Sequence, residues 1–383
     1  MTALTSSPMP PDLTTEVLRD TSAVEAIGAT WRALAAQSPP LSPWQHWDFI
    51  GPWLRHATAP SHPAPVRPRV ILVRRGAHPC LLLPLQLSTA GIGGMRWLEP
   101  IGMPDNIHRP RLGIGAPDRD AYGAGMRAIA GLWGEADGLR VDEKTADDAE
   151  LHWLRELGTE LGWRFRSAAL HACPYLELPG DWPAYLRSRS AKLRKNLTAG
   201  RRRLAEVGPL QLVRYDTPDQ LQEGLNHLYA VTARSWKAAA EIGLGASPAY
   251  REFFREFTMK MAQRGGARAY ALFAGPRAIA VTLAFIEGDT YYSTQIAHDA
   301  EFDACSPGTL LESMEMEALI HEGRFKLFDF LGAALSNKRR WTDTMLATDR
   351  VMWLSGTLRA RLFDLAYFGI KPRLTAMRRL FRS

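Results

Sequence analysis

Apolar residues along this chain fall alternately into short runs and helical stripes. Ala23–Ala35 carries one helical stripe and Trp44–Leu54 a second, aromatic-rich one, which the proline-rich run 59–68 ends. Arg69–Arg74 and Cys80–Leu87 are apolar runs about a Gly76–Pro79 turn, the pattern of a hairpin. After a glycine-rich stretch, 91–115, come a helix at Tyr122–Trp133, a strand at Leu139–Val141, a helix at Asp148–Leu161 and a strand at Arg164–Ala169. This alternation predicts an α/β unit.

Pro174–Asp181 reads as a boundary, and beyond it the same grammar returns. A basic helix precedes a strand at Leu210–Tyr215 and helices at Pro218–Ala239 and Ser247–Gln263. Two strands, Arg268–Phe273 and Ile279–Glu287, flank a hairpin turn at Ala274–Arg277. Thr290–His298 is β-branched and aromatic, and a helix from Pro307 to Glu322 leads into a strand at Lys326–Leu331. The first half shows a looser version of this order, so two related halves are expected, without a residue-level repeat.

Composition narrows the class. A chain of 383 residues, 46% hydrophobic and 23% charged, can build two domains around real cores. No apolar run approaches the roughly 18 residues of a membrane span. Met1–Pro11 has no positive charge and no apolar stretch after it, so no signal peptide is expected. Cys80, Cys173 and Cys305 are odd in number and form no CxxC, which predicts neither a disulfide scaffold nor a cysteine zinc site, and a cytoplasmic location.

The net charge of +7 is concentrated. Residues 187–203 hold eight bases and no acid, and 356–383 hold seven bases against Asp364, leaving 32 bases and 39 acids elsewhere. An acidic body with two basic strips predicts local contact with phosphates, an acidic partner or a membrane surface. In the first strip Leu193, Leu197 and Leu204 share one narrow helical face. The second mixes Leu, Phe, Tyr and Ile with Arg and Lys, and Pro372 splits it into two short helices that either pack on the body or lie on an anionic membrane.

The most informative stretch is Glu301–Leu311. Ser306 suits an N-cap, Pro307 the first helical position, and Gly308 a close approach. A strand running into such a helix start offers free N–H groups and a positive dipole end to a phosphate; the alternative is an ordinary capped helix. No HExxH, P-loop or GxSxG is present, and His108, near Asp105 and Asn106, lacks ligand spacing, so no metal site is expected.

From Arg187 onward the chain resembles the acetyltransferase domain of the CelD-type, FemAB-like branch of the GNAT superfamily. The residues that carry the resemblance are Ser188–Leu197 with Arg201–Leu204, then Ala233–Trp236, and Ser306–Leu311 with Gly323, Phe328–Gly332, Lys338 and Trp341. It implies an α/β fold with mixed sheets, as two tandem GNAT-like folds: a degenerate one at 1–180 and an acyltransferase domain with a basic tail at 181–383. It implies acyl transfer from acyl-CoA, a co-substrate and not a permanently bound cofactor, to an amine or hydroxyl of a cell-envelope or exopolysaccharide precursor. Ser306, Pro307, Gly308 and Thr309 would hold the coenzyme A pyrophosphate. Thr290–His298, through Gln295 and Ile296, would polarise the thioester carbonyl. Here Asp303–Gly308 replaces the Gln/Arg-x-x-Gly-x-Gly/Ala loop of many relatives, so an aminoacyl-tRNA donor stays open. A non-catalytic component of a polysaccharide-synthesis complex is the third reading.

Individual residues follow. Asp329 interrupts an apolar strand, where burial would raise its pKa and suit a base; it would otherwise cap a loop. Lys338 and Trp341 suit a phosphate-steadying cation and an aromatic wall. Tyr291 and Tyr292 lie on opposite faces of a strand, and Tyr292 is taken as the candidate proton donor to the leaving thiolate. Arg189, Lys192, Lys195, Trp236 and Trp341 are the expected acceptor contacts, suited to a phosphorylated glycan precursor or, alternatively, tRNA. His298, Asp299, Glu301 and Cys305 are read as structural.

Overall fold

A computed structural model of the chain describes residues 12–58, 65–89, 94–103, 108–240, 244 and 247–370. The chain divides into two compact units, Met1–Leu170 with Thr348–Ser383, and His171–Ala347.

The first unit runs β1 (Leu13–Leu18), α1 (Thr21–Ala26), α2 (Gly28–Gln37), α3 (Trp47–Ala57), β2 (Arg67–Arg75), β3 (His78–Ser88), β4 (Trp97–Pro100), α4 (Arg119–Ala130), β5 (Gly138–Lys144), α5 (Ala149–Glu160) and the start of β6 (Arg164–Glu177). The chain returns to it in β12 (Met345–Leu354) and α13 (Leu358–Asp364). Its sheet has the order β1-β2-β3-β4-β5-β12, antiparallel except for the parallel pair β4–β5. Val73, Leu83, Met126, Ile129, Leu139, Leu154 and Trp353 form its core.

The second unit holds the end of β6, then α6 (Trp182–Ser188), α7 (Ala191–Val207), β7 (Leu210–Tyr215), α8 (Pro218–Ala233), α9 (Trp236–Ala239), α10 (Pro248–Gln263), β8 (Ala267–Ala274), β9 (Arg277–Glu287), β10 (Thr290–His298), α11 (Pro307–Glu322), β11 (Leu327–Asp329) and α12 (Ser336–Arg339). Its sheet, β7-β8-β9-β10-β11-β6, repeats the order and sense of the first, with β10–β11 as the parallel pair. Alternation along β8 sorts the helices onto two faces. Gly224 of α8 lies against Ala269, whereas Tyr270 joins the cluster that holds Leu204 of α7 and Leu311 and Leu319 of α11.

Several expected boundaries move. The strand that begins at Arg164 runs through Pro174 to Glu177 and pairs with β11 over its last three residues, so 174–181 is no clean break. The compact units therefore divide differently from a single cut at residue 180: the sixth strand of the first sheet is β12, from the far end of the chain. The helix expected at Pro218–Ala239 stops at Ala233, because Ser235 caps a new turn by accepting from Lys237 N–H. The first basic strip spans two helices, with Ser190 capping α7 through Leu193 N–H. Strands β1, β4 and β12 carried no pattern that set them apart. Residues Met1–Pro11, Asp105, Asn106 and everything from Lys371 onward, including Pro372, lie outside the described residues.

Val351, Met352, Trp353 and Leu354 of β12 are all buried. Deleting 348–383 exposes four side chains, each worth about 2 kcal/mol, against a total stability of about 5–15 kcal/mol. The truncated chain is expected to be insoluble or to lose its cooperative melt, measured by circular dichroism, although all of the second unit is retained.

Candidate functional site

The parallel ladder of β10 and β11 has three pairs, Thr290–Leu327, Tyr291–Phe328 and Tyr292–Asp329, and then stops. Strand β10 continues to His298 with a bulge between Ser293 and Gln295. Past Tyr292 its edge towards β11 has no ladder partner among the described residues, which opens a gap lined by backbone groups. Gln295 and Ile296 are half-buried along it. Leu331 (φ 55°) and Gly332 (φ 54°), both left-handed, turn the chain after β11. Leu331 N–H donates to Asp329 Oδ1 at 2.8 Å, and Lys338 Nζ donates to the Leu331 carbonyl. Asp329 and Lys338 are thus brought together on one turn, yet Asp329 is fully buried, its carboxylate engaged by its own chain. This contact is the one the loop-capping alternative called for.

Below the gap stands the start of α11. Ser306 is left-handed (φ 51°), and its side chain makes no cap hydrogen bond, contrary to the N-cap expectation. The first turn of this 16-residue helix is thus without a side-chain cap from Ser306, and it has no acid. Gly308 is buried, and a Cβ on it would lie 3.3 Å from His298 Nδ1 and 3.5 Å from Ile296 Cδ1. Thr309 Oγ1 accepts from the Arg340 guanidinium. A cavity of about 20 Å³ lies between Asn196, Ser306, Thr309, Leu310 and Arg340.

Helix α7 supports this turn from outside. Gly200 approaches the Cys305 carbonyl so closely that a Cβ would sit 2.4 Å from the oxygen. Leu193, Leu197 and Leu204 are buried, and Arg203 donates to the Ala304 carbonyl at 3.2 Å. Arg189 is drawn inward, donating to the Trp341 carbonyl at 3.2 Å. Lys192 and Lys195 are exposed and have no acidic partner among the described residues. Trp236 is 56% exposed on α9, open to a ligand. Trp341 is fully buried, and its indole N–H donates to Glu312 at 3.0 Å, so it is core and no aromatic wall. Tyr292 is half-buried, while Tyr291 is buried and donates to Glu315 Oε1 at 2.5 Å.

Four residues escaped sequence reasoning. Arg340 ends a Lys338–Arg340 run that could have flagged it. Lys237 donates to the Ile296 carbonyl at 2.7 Å, and burial lowers its pKa. Glu312 and Glu315 lie three apart on α11, in line with Leu311 and Leu319 of its core face. Burial pushes Glu312 up to about 7 against the Trp341 hydrogen bond. It pushes Glu315 up to about 8 against bonds from Tyr291 and Thr282, with the Glu312 charge adding to the rise. Glu315 Oε2 has no hydrogen-bond partner.

Residues 191–339 match the Acetyltransferase (GNAT) domain family. The second unit carries a GNAT acetyltransferase domain. That matched stretch is of N-acyltransferase type, and the sheet of the first unit repeats the strand order of the second. The crystal structure of FemX shares the fold at 12% identity and a TM-score of 0.55, covering 88% of this chain and 98% of that one. A conserved protein of unknown function from Bacteroides thetaiotaomicron does so at 12% identity and a TM-score of 0.55, covering 89% and 100%. No curated protein matches the sequence. Among the described residues, no helix is long and apolar enough to cross a membrane.

Two outcomes test the site's supports. Gly→Ala in an open helix stabilises by up to ~1 kcal/mol, but at Gly200 the new methyl overlaps a backbone carbonyl. Gly200→Ala should therefore destabilise by about 1–3 kcal/mol, read as a lower denaturation midpoint. A carboxyl that holds its proton more tightly folded than unfolded favours folding at acid pH, and that contribution is lost as pH rises through the folded value. Wild type should lose stability between about pH 5 and pH 8, through the raised values of Glu312 and Glu315. Glu315→Gln should match wild type near pH 5 and melt several degrees higher near pH 8.5.

Proposed function

We propose that the second unit transfers an acyl group from acyl-CoA directly to an amine or hydroxyl of a cell-envelope or exopolysaccharide precursor, in the cytoplasm, as a member of the CelD-type branch. The observation that carries this reading is the uncapped start of α11, set beside the open edge of β10. A pyrophosphate would be held at this helix start: Gly308 and Thr309 lie in its first turn at the positive helix end, and Ser306, Thr309 and Arg340 line a small cavity beside it. The pantetheine arm then runs along β10, whose N–H groups near Gln295 and Ile296 meet the thioester oxygen. Charge that develops on that oxygen during attack is stabilised by dipoles already in place, a term worth about 3 kcal/mol per donor.

The acceptor approaches from the side of Trp236, Lys192 and Lys195. Its amine must lose a proton before attack, because an ammonium has no lone pair. The new bond forms to the acyl carbon as the carbon–sulfur bond breaks, and the thiolate takes up a proton, for which half-buried Tyr292 is the expected donor. Asp329 and Lys338 act here as positioning residues that fix the Leu331–Gly332 turn.

The first unit is read as a degenerate copy. Its equivalent helix, α4, closes its own N-terminus: Asp118 Oδ1 accepts from Asp120 and Ala121 N–H, and Asp120 adds a second carboxylate. An incoming pyrophosphate would meet negative charge there.

A second reading, peptidyl transfer from aminoacyl-tRNA, is favoured by the unpartnered cations of α7 together with the fold shared with FemX.

Thermal-shift titration with acetyl-CoA and longer acyl-CoAs, with ATP as control, tests the donor. At 100 times Kd a ligand stabilises by about 2.7 kcal/mol. Wild type should rise by several degrees, Arg340→Ala should need at least tenfold more ligand, and Gly308→Arg, which fills the turn, should not respond. No response in wild type overturns the acyl-CoA reading, and salt-dependent aminoacyl-tRNA binding would then support the second.

A further inference from the structure

Among the described residues, seven large hydrophobic side chains are exposed, and four of them lie within residues 358–370: Leu358, Leu362, Leu365 and Ile370. This segment is α13 followed by a π-helical turn, Leu365–Ile370. Leu358, Leu362 and Leu365 are 73%, 58% and 59% exposed and fall at i, i+4 and i+7, so they form one ridge. The opposite side of the segment is apolar too. Ala360 and Phe363 are buried with Met95, Trp97, Met352 and Leu354, and Tyr367 and Phe368 pack against that cluster. A helix that is apolar on both sides needs a second covering surface.

Charge selects the covering surface. The segment's one acid, Asp364, is turned inward and is held by Arg164 and Arg166. Arg359 reaches Asp137 at 3.3 Å. Arg361, beside the ridge, is exposed and has no acidic partner among the described residues. The sequence that follows, 371–383, adds Lys371, Arg373, Arg378, Arg379 and Arg382 and no acid. The outward side of residues 358–365 therefore carries leucines and Arg361 without a counter-charge among the described residues. An acidic protein groove would satisfy the charges, but a ridge with bases on its flank and in the residues that follow suits a plane that is apolar below and anionic above.

We infer that the ridge Leu358–Leu362–Leu365, with Arg361, is a docking surface for an anionic lipid bilayer. The ridge enters the headgroup–acyl boundary while the guanidinium stays among lipid phosphates. The enzyme is thereby held at the membrane without a spanning helix. This inference does not rest on the identity of the acyl donor, and it holds or fails separately.

Flotation of the full chain with vesicles tests it, using phosphatidylcholine alone and a 3:1 mixture with phosphatidylglycerol, at 0.05 and 0.5 M salt. Wild type should float with the mixed vesicles at low salt, and at least tenfold less with neutral vesicles or high salt. Leu358→Ser/Leu362→Ser/Leu365→Ser should lose at least tenfold in binding. Because these side chains are exposed, its melting temperature should equal that of wild type. Should the triple variant misfold, Arg361→Glu alone should cut binding severalfold. Failure of wild type to float overturns the inference, as does equal flotation of a folded triple variant. So does a wild-type dimer that the triple variant dissolves without any vesicle effect. Flotation that appears only after truncation at Ile370 would make residues 371–383 the cover of the ridge, and would overturn it too.

Discussion

A parallel ladder that stops after three pairs leaves the remaining length of β10 with backbone groups that β11 does not satisfy. The surrounding elements keep that edge open. The bulge at Ser293–Gln295 re-aims the strand, and two consecutive left-handed residues, Leu331 and Gly332, turn the other strand away. Asp329 and Lys338 fix that turn from inside. The helix that follows β10 must then begin close beneath it, which a side chain at position 308 would crowd. Helix α7 in turn reaches the loop before that helix only because position 200 has no Cβ. Each of these features makes sense as support for one gap in a sheet.

The first unit shows what the same backbone does with other chemistry. Its parallel pair β4–β5 also ends early, after Trp97–Gly138 and Leu98–Leu139. A buried carboxylate in that unit has quite different partners. Glu150 is buried and accepts from Leu112 N–H, Gly113 N–H and Tyr122 OH, with Lys144 Nζ at 3.1 Å. Burial alone would raise its pKa, but the charges of Lys144 and Arg111 and these hydrogen bonds bring it below the usual range. In the second unit the buried acids Glu312 and Glu315 meet hydroxyl and indole donors and, among the described residues, no cation within bonding distance, and their pKa values rise instead. Glu150 is thus held ionised in the first unit, whereas Glu312 and Glu315 hold their protons more tightly in the second, on a shared topology.

The sequence made the repeated strand–helix order legible, because periodicity reports burial on one face at a time. The turn at Ser306–Gly308 was legible as well, since Pro and Gly there have few other uses at a helix start. The roles of Trp341 and Asp329 were not. A tryptophan in a family motif gives no sign of whether its edge meets a ligand or a buried glutamate. Nor does a strand aspartate disclose that the next turn will donate to it. Lys237 and Arg340 were invisible for a related reason: each reaches a group about 59 or 31 residues away, Ile296 or Thr309, which only the tertiary fold brings near. The end of β6 was misread because Pro174 looks like a break, although a proline at a strand position without a ladder N–H costs nothing.

The out-of-order strands bear on what the matched stretch can do alone. Residues 191–339 include β10, β11 and the start of α11, yet β11 is three residues long and pairs on its other side with Tyr175–Glu177 of β6. Phe330 N–H also donates to the Pro174 carbonyl. A three-residue strand pinned on one side only has too few hydrogen bonds to hold a turn as tight as Leu331–Gly332. The far wall of the gap is therefore set by residues upstream of the matched stretch, and any minimal acyl-transfer module cut from this chain has to begin before Pro174.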